Sequence, residues 1–133
     1  MLKTVTGTPN TLLRLEATMT LIASVTAYAH LGTSWWLFAL LFLVPDMSIA
    51  GYAAGPRVGA ATYNFMHWCG VPLVLTASGL TLGAMTTVAI GLIWMAHIAF
   101  DRMLGYGLKY AEGFKVTHLS RSAAGEPAAA ALA

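Results

Sequence analysis

Apolar residues dominate the chain from about residue 12 to residue 104. Three polar or glycine-bearing breaks interrupt them: His30 to Ser34 around Gly32, Gly51 to Pro56 ending in Gly55-Pro56, and Ser78 to Gly83 with Gly79 and Gly83. They leave four stretches, 12–31, 34–54, 57–78 and 82–104, each close to the roughly 20 residues that cross the hydrocarbon of a bilayer as a helix. Lipid offers no partner to a backbone N–H or C=O, so these stretches are expected to be helices. The predicted fold is all-α, an integral membrane bundle of four transmembrane helices forming a single domain over residues 1–119. A short cytoplasmic segment follows the last span, and residues 120–133, which end in an alanine run, are expected to be a flexible tail.

Composition supports a lipid environment. Of 133 residues 58% are apolar and 9% charged, with a mean hydropathy of +0.71, whereas soluble domains carry about 25% charge. Twelve charges cannot coat a compact domain of this size. A formal charge of +2 without a basic cluster argues against nucleic acid as a partner. The lone cysteine, Cys69, excludes an internal disulfide and says nothing about redox compartment.

The placement of the charges gives a topology. Between residues 17 and 100 only Asp46 and Arg57 are charged. The first and third breaks carry no Lys or Arg, while the two ends and the middle break carry all seven. The positive-inside bias then puts both termini and the middle loop in the cytoplasm, as an even number of spans requires. Lys3 and Arg14 before an apolar run ending in Ala27-Tyr28-Ala29 resemble a signal peptide. Glu16 opens that run and three more stretches follow, so it is read as a retained span. Trp35-Trp36 is expected at the outer boundary and Trp94 in plain core packing.

Helical rise converts sequence offsets into depth. Asp46 falls about 7 Å below the cytoplasmic face, Asn64 about 10 Å and His67 about 15 Å. His97 and Asp101 share a helix face by i, i+4 spacing, as do Tyr63, Asn64 and His67. Pro45 cannot donate to the Leu41 carbonyl and should kink or break the second helix just before Asp46, aiming carbonyl and carboxylate at one cavity or merely making a packing kink. Intramembrane ionisable groups are costly and usually face a bundle interior.

The side chains available there are those of a borderline metal site. Asp46, His67, His97, Asp101 and, after re-entry of the chain, His118 are candidate ligands for a divalent Zn, Mn or non-haem Fe ion. Glu16 is the candidate base or fifth ligand, and Arg57 or Arg102 would orient an anionic group. Bis-histidine haem ligation by His67 and His97 is a further reading. A hydrogen-bonded packing network accounts equally for Tyr63 and Asn64. If the chain is an enzyme, the reaction expected is metal-assisted hydrolysis of a lipid or other membrane-borne substrate. The alternative is a non-catalytic membrane subunit or small proton or ion transporter, whose buried charges are a structural ion-pair network. A channel-like role would call for a homo-oligomer, although four helices can close a bundle alone.

Longer blocks carry a resemblance. Leu15-Glu16, Ser34-Trp35-Trp36-Leu37, Pro45-Asp46-x-Ser48 through Gly51-Tyr52, Gly59-Ala60 with Tyr63-Asn64 and His67, and His97-x-x-x-Asp101-Arg102-Met103-Leu104-Gly105-Tyr106-Gly107-Leu108-Lys109-Tyr110, then Phe114-x-x-Thr117-His118-Leu119, resemble the domain of unknown function 4260 family. The likeness runs from about Leu12 to Leu119. It implies a small multi-span protein of the bacterial inner membrane and no particular activity. A fainter likeness joins Pro45-Asp46 and Thr117-His118 to membrane-bound metal-dependent hydrolases, although Leu119 stands where their motif has serine.

Overall fold

The computed structural model describes residues 2–4, 7–111, 117 and 120–122. Among the described residues the regular elements are helices, one short strand pair and an isolated antiparallel bridge between Lys109 and Thr117. Helix α1 spans Thr8–His30 and α2 spans Trp35–Phe42. A 3-10 helix follows over Val44–Ala54, then α3 (Pro56–His67), α4 (Gly70–Leu82) and α5 (Met85–Leu104). Strands β1 (Leu2–Thr4) and β2 (Ser120–Ser122) pair antiparallel, with Lys3 opposite Arg121. Beyond those three β2 residues, the tail expected from residue 120 lies outside the described residues.

Three helical stretches are long and apolar enough to cross a membrane: Trp35–Ala54, Pro56–Leu82 and Met85–Leu104. Many of their large apolar side chains face outward, among them Leu40, Phe65, Val74 and Leu82, as lipid-facing surfaces require. The chain is a multi-pass membrane protein. Helix α1 is also long, at 23 residues, or about 35 Å by helical rise.

Two of these stretches are broken, both next to a proline. In the first, α2 ends at Phe42 and the chain tightens into the 3-10 helix containing Pro45, with Asp46 N–H bonded to Leu43 O at 3.2 Å. The expected kink before Asp46 is thus a change of helix type. The second break was not foreseen: the segment anticipated as one helix over 57–78 is α3 and α4, separated at Trp68-Cys69. Pro72 is the physical reason. A continuous helix would have residue 72 donate to the Trp68 carbonyl, which proline cannot do and against which its ring clashes. The turn expected at Ser78 to Gly83 falls at Gly83 itself, in the left-handed conformation, so α4 continues to Leu82.

Helix α5 is the centre of the assembly, packing against α1, α4 and α2, while the 3-10 helix packs on α3. Gly91 allows the close approach of α4: a Cβ there would meet the Thr76 amide at 2.9 Å and the Pro72 carbonyl at 3.0 Å. Tyr28, Ala89 and Ile93 form the fully buried core cluster, flanked by Leu37, Phe38 and Phe42. Tyr28 also donates to the Ser34 carbonyl at 2.7 Å, tying α1 to the cap of α2. From it a file of edge-on and stacked rings runs through Phe38 and Phe42 to His97.

Candidate metal centre

Each break frees backbone groups, and polar side chains collect where they are freed. Helix α3 stops at His67, which leaves its last carbonyls without helical partners. Trp94 Nε1 donates to Met66 O at 2.6 Å and Arg102 Nη2 to His67 O at 3.3 Å, both from α5. Trp94 therefore caps a broken span rather than serving only as packing. One turn back, Tyr63 O also accepts from His67 Nδ1 at 2.9 Å. A carbonyl can only accept, so Nδ1 carries a proton, and Nε2 is the ring nitrogen turned to the interior.

Four side chains converge there from three elements: Asp46 from the 3-10 helix, His67 from the end of α3, and His97 with Asp101 from one face of α5. Each offers one ligand atom, and these atoms lie within 4.8 Å of one another. His67 Nε2 is 3.2 Å from His97 Nε2, 3.3 Å from Asp101 Oδ2 and 3.6 Å from Asp46 Oδ1. His97 Nε2 is 3.5 Å from Asp46 Oδ1 and 3.7 Å from Asp101 Oδ2. A tetrahedral ion with bonds of about 2.0–2.1 Å to nitrogen and oxygen has donor-to-donor edges of about 3.3–3.4 Å. These five separations bracket that edge, so the cluster is able to coordinate a divalent metal ion.

The surroundings hold the ligands in place. The Tyr63 ring stacks on His67, with centroids 3.8 Å apart and planes 10° from parallel, and its hydroxyl donates to Asp101 Oδ2 over 3.4 Å. Both histidines are about 2% exposed, whereas the Asp46 side chain is 46% exposed. His97 Nδ1 is buried without a hydrogen bond of full geometry, yet the Phe42 backbone lies within interaction range of the ring. Pro45 explains why that carbonyl is available. Its 3-10 donor would be residue 45, which has no N–H, and the α-type donor, Asp46 N–H, goes to Leu43.

Beyond α5 the chain folds back over this end of the bundle. Gly105, left-handed at φ 95°, ends the helix, with Tyr106 N–H returned to the Asp101 carbonyl at 2.9 Å. Asn64 then grips the Lys109 main chain on both sides, donating to its carbonyl at 2.7 Å and accepting from its N–H at 2.6 Å. Lys109 Nζ sits 4.4 Å from the Tyr63 ring centroid. Burial pushes the Lys109 ammonium below the usual lysine range, while the Asp101 and Asp46 carboxylates pull it back up. Sequence reasoning did not single out Lys109. Its signal was a lone cation shortly after the ligand-bearing helix.

The other expected site residues stand elsewhere. Glu16 is exposed and lines a separate cavity on the α1 side of α5, together with Arg14 and Arg102. Arg57 is exposed in the first turn of α3, at the opposite end from His67. His118 lies outside the described residues.

A family model for a domain of unknown function, DUF4260, matches residues 10–121 and so takes in all four clustered side chains. No curated protein and no solved structure matches the chain. The chain belongs to the DUF4260 family of small bacterial integral membrane proteins.

Proposed function

We propose that this protein is a four-span inner-membrane protein that holds a divalent ion, Zn, Mn or Fe, between Asp46, His67, His97 and Asp101. Metal-assisted hydrolysis of a membrane-borne substrate at that ion is the activity we assign to it. The observation that carries the reading is the set of donor separations near a tetrahedral edge. Two imidazole lone pairs and two carboxylate oxygens at that spacing repel one another unless a cation or shared protons lie between them. A bound ion would lower the pKa of a coordinated water and polarise a substrate carbonyl or phosphoryl oxygen. Asp46, half exposed where the histidines are buried, gives substrate and water their access. The Tyr63 hydroxyl, on Asp101, and the Lys109 ammonium, over Tyr63, are the nearby donors suited to a developing negative charge.

Charge distribution supports a cytoplasmic opening, with both termini and the Gly51 to Pro56 loop on that side. The length of α1 and its packing along α5 support its crossing as the fourth span. The completeness of the four-ligand set favours one second reading. A closed tetrahedron is the habit of structural ions, and here it would clamp the broken α3–α4 span to α5 in a non-catalytic subunit or ion transporter. Cobalt substitution tests the site: one Co(II) per chain with the strong visible absorption of four-coordinate cobalt is expected. A weak six-coordinate spectrum, or no uptake, would overturn it. Reporter fusions at the two termini test orientation, and a periplasmic signal from either contradicts it.

A further inference from the structure

The four clustered side chains are not held alike. The His67 ring stacks on Tyr63 and is fixed through Nδ1 to the Tyr63 carbonyl. His97 is buried on α5 with the Phe42 ring edge-on at 5.2 Å, and Asp101 accepts from the Tyr63 hydroxyl. Asp46 is different. Its side chain is 46% exposed, against 15% for Asp101 and 2–3% for the histidines. Among the described residues, the polar contacts of its carboxylate are with the two histidine Nε2 atoms, at 3.6 and 3.5 Å, and no hydrogen bond from outside the cluster fixes it. The backbone beneath is anchored. Ser48 Oγ donates to Pro45 O at 2.6 Å, and Thr62 Oγ1 donates to Ser48 O at 3.0 Å, which ties the 3-10 helix to α3. The Asp46 carboxylate can therefore turn away about its side-chain torsions while the main chain stays in place.

We infer that Asp46 is the exchangeable ligand of this centre and that the group taken in its place is a carboxylate, so that the membrane-borne substrate is a carboxylic acid, or an ester or amide that yields one. The inference rests on the proposed ion. Charge decides the ligand class. Two neutral imidazoles and two carboxylates balance a divalent ion, and when Asp46 turns away one positive charge is left uncompensated among buried side chains. An anionic donor restores neutrality and a neutral one does not, and an unpaired buried charge is costly. Shape narrows the class further. The position vacated is that of a planar carboxylate, whereas a phosphate diester is tetrahedral and bulkier. On the exposed side the displaced Asp46 carboxylate can be solvated. His67, His97 and Asp101 then remain as three protein ligands with one open position, the arrangement that separates catalytic from structural ions.

Visible absorption of the Co(II)-loaded chain in detergent tests it, with acetate, acetamide and dimethyl phosphate titrated separately. Acetate is expected to shift the cobalt bands along a one-site curve while the metal stays bound. Acetamide, of the same shape without the charge, should leave them unchanged at the same concentrations. Asp46→Ala should still take up cobalt, and acetate should saturate it at a concentration about tenfold or more below that for the wild type, because no internal carboxylate competes for the open position. A role for Asp46 confined to stability would not lower that midpoint. Asp46→Asn, which keeps the size of the side chain, carries the same expectation should the alanine variant not fold. No cobalt uptake by the wild type overturns the ion and this inference together. Three results overturn this inference and leave the ion standing: bands indifferent to acetate in wild type and variant, Asp46→Ala losing cobalt as fully as His97→Ala, or dimethyl phosphate saturating at a lower concentration than acetate.

Discussion

His67 on α3 and His97 on α5 face each other through Nε2 atoms 3.2 Å apart, across 30 residues of sequence. Each nitrogen is also within 3.7 Å of an oxygen from both Asp46 and Asp101. Such an arrangement is stable only with protons or a cation at its centre, since desolvated lone pairs and carboxylates otherwise repel. The proline beside each helix break builds it, one delivering Asp46 and the other ending the span just past His67.

An ion bound to the native state alone stabilises it by mass action, by about 2.7 kcal/mol at a hundredfold excess over Kd. Scanning calorimetry or thermal shift in detergent should therefore show the transition of the metal-loaded protein falling on chelation and recovering on readdition of Zn or Mn. The His97→Ala variant should show no such response.

Trp94→Phe keeps the ring and deletes the donor to Met66 O, leaving a carbonyl of the broken span without its partner. The expected cost is about 1–3 kcal/mol, measurable as a lowered unfolding midpoint in detergent. Trp68→Phe, at an exposed side chain of the same break, should cost far less.

Asn64→Leu removes both hydrogen bonds to the Lys109 main chain. Faster amide exchange is expected through residues 106–111, with exchange in the middle of α5 unchanged. Protection of 106–111 at the wild-type level would show that other contacts hold this segment.

Lys109 supplies a pH dependence. Its folded-state pKa is depressed, chiefly by burial, so the unfolded chain binds the proton more tightly. Stability should then rise with pH through the window between the depressed value and the ordinary one near 10.5. Denaturation in detergent across that range should show the rise in the wild type and a flatter profile in Lys109→Met.

Much of this site was legible before the fold. The i, i+4 pair His97 and Asp101 and the Pro45-Asp46 step follow from spacing, and Asp46 and His67 were both read as buried candidates although helical rise counted them at different depths, about 7 and 15 Å; these are the four side chains that meet. Glu16, also expected at the site, lies on another side of α5. Depth can be counted along a sequence, whereas azimuth around a bundle depends on how the helices pack, which Gly91 and the Tyr28 core decide through long-range contacts. The break at Trp68-Cys69 had a local signal in Pro72, masked because hydropathy continues unbroken across it. The capping roles of Trp94 and Arg102 follow from that break, and so could not be read until it was known.

The most direct test of the metal centre is the metal content of the chain purified in detergent without added metal or chelator, compared with that of Asp101→Ala and His97→Ala prepared alongside. Close to one Zn, Mn or Fe per chain is predicted for the wild type, and little in either variant. Wild-type protein that is folded but metal-free and takes up none of these ions on addition, or variants that keep a full complement, would contradict the account.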